Sequence, residues 1–107
     1  MTQKKMVVAY DGSPNSKNAL KLAGELAKAV GAEVLLTTVV EDGYQQYRGE
    51  IGTVEFRQIQ QARQEYGQEI IENGVKQALD WGIPVQTVLL SGEPARELLT
   101  YAEKEGA

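Results

Sequence analysis

Three short segments rich in apolar and β-branched residues, separated by longer segments with helical character, constrain the fold most. They are KKMVVAY, EVLLTTVV and PVQTVLL, at residues 4–10, 33–40 and 84–90. Such segments are typical of strands buried on both faces, as in parallel sheets. The alternation βαβαβα therefore predicts one open parallel α/β sheet with helices on its faces. Right-handed crossovers between consecutive strands predict the spatial strand order 3-2-1.

The segment after the first strand carries clear helix signals. Ser13 or Asn15 can cap a helix that Pro14 begins, and Gly31 can end it. One apolar stripe at helical spacing comprises Ala19, Leu20, Ala23, Leu26, Ala27 and Val30. This segment is therefore predicted to connect the first two strands as a helix packed on the sheet.

Two further helices are predicted, over residues 55–80 and from Pro94 onwards. The inner face predicted for the long helix comprises Ile59, Ala62, Tyr66, Ile70, Ile71, Val75, Ala78 and Leu79. The face predicted for the last helix comprises Leu98, Leu99 and Ala102. Residues 41–54 contain three glycines and show no apolar period, so they are expected to form a loop that is mobile over residues 43–54.

The predicted strands end at Tyr10, Val40 and Leu90. Ligands of open parallel sheets bind outside the carboxyl ends of the strands. The stretches AYDGSPNS, VVEDG and SGEP should therefore gather at one edge of the sheet. That edge is where a binding site is expected.

The stretch DGSPNS allows two interpretations. A helix N-terminus can hold a phosphate group, and Asp11 could accept hydrogen bonds from a ribose or from a base amino group. Alternatively, Asp11 and Ser13 only organise a turn and a helix cap. Neither G-x-G-x-x-G nor G-x-x-x-x-G-K-[ST] occurs, which disfavours a dinucleotide or P-loop site. The residues alone leave both interpretations open.

Composition excludes several function classes. The chain has no cysteine and no histidine, so thiolate chemistry, the commonest general base and the commonest zinc ligand are missing. Acids outnumber bases by 15 to 11 without any cationic cluster, so neither nucleic acid nor a membrane surface is an expected partner. No membrane span is visible, and a cytoplasmic location is expected. The adjacent Glu41 and Asp42 are interpreted as solvated, and no metal is predicted. No catalytic constellation can be drawn.

Three stretches resemble the universal stress protein family. They are VVAYDGSPNSKNAL, LAKAVGAEVLLTTVVED and LLSGEPARELLTYAEKEGA, and their order and spacing agree with the family across all 107 residues. The resemblance implies an adenine-nucleotide alpha-hydrolase-like fold. It also implies that Asp11 contacts a nucleoside and that the backbone at Val39 lines an adenine pocket. The residues implied to line this ATP cleft are Ala9, Tyr10, Asp11, Gly12, Ser13, Val39, Val40 and Gly92.

The family's phosphate loop, G-x-x-G-x₉-G-[ST], follows a fourth strand and is not among these 107 residues. Residues 1–107 are therefore expected to form a single domain, incomplete at the C-terminus, that binds adenine nucleotide weakly and hydrolyses ATP weakly at most. The resemblance implies a stress-response protein. Because the first strand would keep one unpaired edge, we expect a homodimer. The alternatives are an interaction module of the same fold without a ligand and a nucleotide-dependent enzyme of a related α/β class.

Overall fold

The computed structural model describes residues 4–41 and 53–106. The elements, in chain order, are β1 (Lys5–Ala9), α1 (Pro14–Val30), β2 (Glu33–Glu41), α2 (Thr53–Asp80), β3 (Val85–Gly92) and α3 (Pro94–Glu105). The predicted order βαβαβα is confirmed. The strand β2 extends to Glu41 and the helix α2 begins at Thr53, so the loop prediction was wrong for Glu41, Thr53 and Val54. The rest of the segment expected to be mobile, residues 43–52, lies outside the described residues.

The sheet has three parallel strands in the order β1-β2-β3, as predicted. Val8 of β1 pairs with Leu36 of β2, and Leu36 pairs with Thr87 of β3. The central strand is the most buried part of the molecule, and Leu36 and Thr37 are fully buried there. The sequence EVLLTTVV forms this strand because β-branched and aliphatic residues fit a position covered on both faces.

Helices cover both faces of the sheet. Val8, Val34 and Leu36 share a core with residues of α1 and α2. Neighbouring strand residues point to the opposite face, and there the ammonium of Lys5 lies 2.7 Å from the carboxylate of Glu105, near the end of α3. Thus α1 and α2 pack on one face and α3 on the other.

Two glycines bring α2 unusually close to the central strand. A Cβ atom at Gly67 would lie 2.5 Å from Cγ2 of Val40, and one at Gly74 would lie 2.9 Å from Cδ2 of Leu36. The close approach requires these glycines, so the inner face of α2 follows them. It comprises Gly67, Ile71, Gly74 and Ala78, with Ile70 and Val75 partly buried beside them.

The face that α2 turns to the sheet differs in part from the predicted face. Ile70, Ile71, Val75 and Ala78 are inside or partly inside, as expected. Ala62 is exposed, and Tyr66 and Leu79 are exposed by 66% and 72%. The apolar pattern predicted that the large side chains face the sheet. Where the helix and the sheet are closest, however, only the smallest residues of the helix fit between them.

The stripes predicted for α1 and α3 are partly wrong as well. Leu20, Ala23 and Ala27 are buried, but Leu26 and Val30 are half exposed because they lie on the flank of the face that contacts the sheet. The buried face also includes Gly24, where a Cβ atom would collide with the side chain of Ile83. The exposed residues of the predicted stripes also include Ala19 of α1 and Leu99 of α3. No helix within residues 4–41 and 53–106 is long and apolar enough to cross a membrane.

Candidate functional site

A cleft of about 620 Å³ opens at the carboxyl ends of β1 and β2, between the start of α1 and the start of α3. Its walls are formed by Ala9, Tyr10, Asp11, Ser13, Asn15, Ser16, Thr37, Thr38, Val39, Ile70, Pro94 and Leu98. The volume is within the range of small-ligand pockets. The site is therefore at the edge of the sheet that the strand order predicts.

The cleft's carboxylate belongs to Asp11, which follows β1 directly. The backbone N–H of Ser13 donates to Oδ1 of Asp11 at 2.9 Å, and Gly12 between them has a φ of 83°. Hydrogen bonds from the side chain and backbone of Ser13, and then from the side chain of Ser16, hold the pKa of Asp11 below its ordinary value. The turn therefore fixes an ionised, exposed carboxylate at the mouth of the cleft, where it can accept hydrogen bonds.

The serines beside Asp11 are engaged in capping α1. Ser13 has extended backbone angles, and its hydroxyl accepts the backbone N–H of Ser16 at 3.2 Å. The hydroxyl of Ser16 in turn donates to the Ser13 carbonyl at 3.0 Å. Both side chains thus satisfy local backbone groups. The interpretation of DGSPNS as a turn and helix cap is correct for Ser13. The Asp11 carboxylate of the same stretch faces the cleft.

Tyr10 lines the cleft at the end of β1, and its ring is buried. The side chain is 3% exposed, and its hydroxyl donates to Oδ1 of Asn73 on α2. Burial, followed by the charge of Asp11, raises the pKa of Tyr10, so the phenol stays protonated and can donate. The ring therefore anchors the end of β1 beneath α2 and fixes where the chain turns towards Asp11.

A second contact fixes the same point from β2. The N–H of Tyr10 donates to the carbonyl of Thr37 at 2.8 Å. The buried hydroxyl of Thr38 donates to the carbonyl of Tyr10 at 2.9 Å. Both backbone groups of Tyr10 are therefore held by β2, directly below the Asp11 turn.

The structure brings together five of the eight residues predicted for the site: Ala9, Tyr10, Asp11, Ser13 and Val39. The other three, Gly12, Val40 and Gly92, do not line the cleft. The side chain of Val40 packs against Gly67 of α2, and Gly92 lies against the side chain of Glu97.

Seven further residues line the cleft: Asn15, Ser16, Thr37, Thr38, Ile70, Pro94 and Leu98. Asn15, Ser16 and Pro94 belong to stretches predicted to lie at this edge, but none of the seven was named as a site residue. The paired threonines at the end of an otherwise aliphatic strand were a usable signal, since buried hydroxyls need partners. Ile70 and Leu98 come from α2 and α3, and only tertiary packing carries them to this edge.

The charge of the cleft limits what it can bind. Among the described residues that line it, Asp11 is the one carboxylate, and there is neither lysine nor arginine. Within the described residues, no group of three or more acidic, histidine or cysteine side chains could hold a metal ion. The described walls thus offer hydrogen-bond acceptors and apolar surface, but no cation that would neutralise phosphate.

A groove of about 840 Å³ lies at the opposite end of the sheet, between α1 and the connection from α2 to β3. The ammonium of Lys21 lies 6.0 Å from the ring centroid of Trp81 in its wall. The C-terminal ends of α1 and α2 both border it, and their partial negative charges disfavour phosphate. The groove contains none of the predicted site residues, so the smaller cleft is the better candidate for a nucleotide.

Comparison with known proteins identifies the family. The model of the Universal stress protein family matches residues 2–107. The chain belongs to this family. A universal stress protein of Methanocaldococcus jannaschii is 36% identical over 104 residues, covering 97% of this chain and 60% of the relative. The universal stress protein YxiE of Bacillus subtilis is 35% identical over 107 residues, covering 95% of this chain and 72% of the relative.

Solved structures of universal stress proteins share the fold. A universal stress protein in complex with cAMP has a TM-score of 0.67 at 19% identity, covering 100% of this chain and 69% of the other. The universal stress protein UspA of Lactobacillus plantarum has a TM-score of 0.74 at 15% identity, covering 99% and 72%. This universal stress protein chain therefore spans between three fifths and three quarters of these four proteins.

Proposed function

We propose that this universal stress protein is a stress-response protein whose cleft binds the nucleoside portion of an adenine nucleotide. The main support for this proposal is that the ionised Asp11 and the backbone of Val39 border one cleft at the carboxyl ends of two parallel strands. A carboxylate can accept the hydroxyls of a ribose, and strand-end backbone can pair with a base edge. The cAMP complex of a structural neighbour supports this assignment for the family fold.

Phosphate should add little to the affinity of this chain. The described walls of the cleft contain a carboxylate and no lysine or arginine, so their charge repels a triphosphate. The hydroxyl of Ser16 donates to the Ser13 carbonyl, and the hydroxyl of Ser13 donates to the Asp11 carboxylate, so neither donor is available to bind phosphate. We therefore expect weak binding, with adenosine and ATP about equal, and no more than weak ATP hydrolysis.

Calorimetric titration of the 107-residue chain with adenosine and with ATP tests this proposal. Asp11→Ala should abolish binding of both ligands, whereas Asp80→Ala, an exposed acid at the end of α2, should leave binding unchanged. Submicromolar ATP affinity, far tighter than adenosine affinity, would show that a phosphate site exists. Equal binding by wild type and Asp11→Ala would refute the assigned site.

A second function, self-association, is favoured by the edge of β1. Within the described residues, β1 pairs with β2 on one side only. Because Tyr10 and the other even-numbered residues direct their backbone groups to β2, Val7 and Ala9 direct theirs to the free edge. Free strand edges recruit other strands. We propose a two-fold dimer in which residues 4–10 of two chains pair antiparallel.

Sedimentation across a hundredfold concentration range, combined with amide hydrogen exchange, decides between dimer and monomer. A dimer should slow exchange at Val7 and Ala9. One monomeric species throughout, with fast exchange at both amides, would contradict the edge pairing.

The proposal also places the protein in the cytoplasm, where adenine nucleotides are available, and fractionation of cells that contain the full protein tests that location.

A further inference from the structure

The backbone of Val39 points towards β1 at a level where β1 has already ended. In a parallel strand, the N–H and C=O of one residue point to the same neighbour, and alternate residues point to opposite neighbours. The carbonyl of Thr37 accepts the N–H of Tyr10, so Thr37 faces β1. Val39, two residues along, faces the same side, in the wall of the cleft.

A regular continuation of the ladder would pair the N–H of Val39 with the carbonyl of Tyr10. Among the described residues, no backbone hydrogen bond joins these two groups. The Tyr10 carbonyl instead accepts the Thr38 hydroxyl at 2.9 Å. Thr38 is 4% exposed, so water cannot readily replace this hydroxyl.

We infer that Thr38 is a positioning residue that ends the β1–β2 ladder and leaves the Val39 N–H and C=O free for a ligand. The Thr38 hydroxyl satisfies the Tyr10 carbonyl, which would otherwise attract the Val39 N–H. The pair of backbone groups thereby stays directed into the cleft, next to the Asp11 carboxylate.

The free pair suits a ligand with an acceptor beside a donor. A backbone N–H and C=O of one residue match a ring nitrogen adjacent to an exocyclic amino group, as on one edge of adenine. A base with a carbonyl in place of the amino group would face the Val39 carbonyl with a second acceptor. Thr38 thus supports discrimination for amino-bearing bases, an inference that rests on the proposed nucleoside function.

The first test needs no ligand. Amide exchange measured by NMR should be fast at Val39 in the wild type and at least about tenfold slower in Thr38→Val, because the Val39 N–H then bonds to the vacated Tyr10 carbonyl. Thr38→Ser should keep fast exchange, since it retains the hydroxyl. Thr87→Val, on an exposed position of β3, is the matched control and should not change Val39. Unchanged exchange at Val39 in Thr38→Val would overturn the inference.

The second test measures adenosine and inosine binding by calorimetry. Thr38→Val should weaken adenosine binding at least about tenfold, the loss expected for about two hydrogen bonds, while Thr38→Ser and Thr87→Val bind like the wild type. Inosine should bind the wild type more weakly than adenosine. Circular dichroism confirms folding, and Thr38→Ala is a second hydroxyl-free variant should Thr38→Val fail to fold.

The two tests separate the two claims. If the wild type binds no adenosine, the proposed function fails, while the exchange data still decide the role of Thr38. If the wild type binds adenosine and both hydroxyl-free variants bind it equally well, the proposed function stands and the role of Thr38 is refuted.

Discussion

Replacing Gly74 by alanine tests whether α2 depends on a close approach to the sheet. In the middle of an exposed helix, this change stabilises a protein by about 0.5–1 kcal/mol, because alanine has the higher helix propensity. In this structure, the new Cβ atom would lie 2.9 Å from Cδ2 of Leu36 and 3.0 Å from two ring carbons of Tyr10. Helix propensity therefore predicts that Gly74→Ala stabilises the protein, whereas packing predicts that it destabilises the protein.

The packing effect should be the larger one. Leu36 is fully buried, and the Tyr10 ring is held in place by its hydroxyl bond to Asn73. Neither neighbour can move aside, so α2 must shift away from the sheet. Overpacking of a core costs about 1–3 kcal/mol. After subtraction of the propensity gain, Gly74→Ala should lower the free energy of unfolding by up to about 2.5 kcal/mol, with a central value of about 1 kcal/mol.

Thermal and urea unfolding provide the assay. A domain of this size loses about 4–8 °C in Tm per kcal/mol, so the decrease in Tm expected for the central value is roughly 4–8 °C. The single tryptophan, Trp81, reports unfolding by fluorescence, and coincidence with circular dichroism checks two-state behaviour. Lys76→Ala, on the exposed side of the same helix, is the control and should change stability by less than about 0.5 kcal/mol.

An increase in stability of Gly74→Ala would refute the reasoning. Such a result would mean that α2 lies farther from β2 than the structure shows, and that helix propensity alone determines the effect. A decrease in stability accompanied by weaker adenosine binding would extend the reasoning, because displacement of the Tyr10 ring also moves the turn at Asp11.

Three further predictions concern α2, the helix cap and the turn. Gly67→Ala should destabilise the protein by roughly 1–2 kcal/mol in urea unfolding, because its Cβ atom would meet Val40 at 2.5 Å; a stabilised variant would contradict this. Ser13→Ala should cost about 1 kcal/mol in the same assay and Ser13→Asp much less, because either side chain can cap α1; an equal loss in both would exclude capping as the cause. The lowered pKa of Asp11 contributes stability that is present above its unfolded pKa of about 3.9 and is lost as the pH falls through the folded value. In Asp11→Asn, the free energy of unfolding should therefore decrease less steeply as the pH falls into the acid range. An unchanged decrease would contradict the lowered pKa of Asp11.

Much of the fold could be predicted because it depends on local pattern. The three apolar segments, the Pro14 and Gly31 signals and the alternation of elements determined the parallel sheet and its order. The faces of the helices were less predictable. The periodicity of α2 indicated an inner face with Tyr66 and Leu79, but the helix turns its glycines to the sheet instead.

The candidate site, too, could be predicted only in part from the sequence. The sequence alone determined that the Asp11 turn and the end of β2 lie at one edge, because parallel strands must align their carboxyl ends there. Only the tertiary structure decided which groups face the cleft. Whether Val39 or Val40 points inward depends on the sheet register, and Ile70 and Leu98 reach the cleft from helices distant in sequence. The bond from Thr38 to the Tyr10 carbonyl spans 28 residues. Local propensity cannot encode such a contact, because it exists only once two strands have been brought into register.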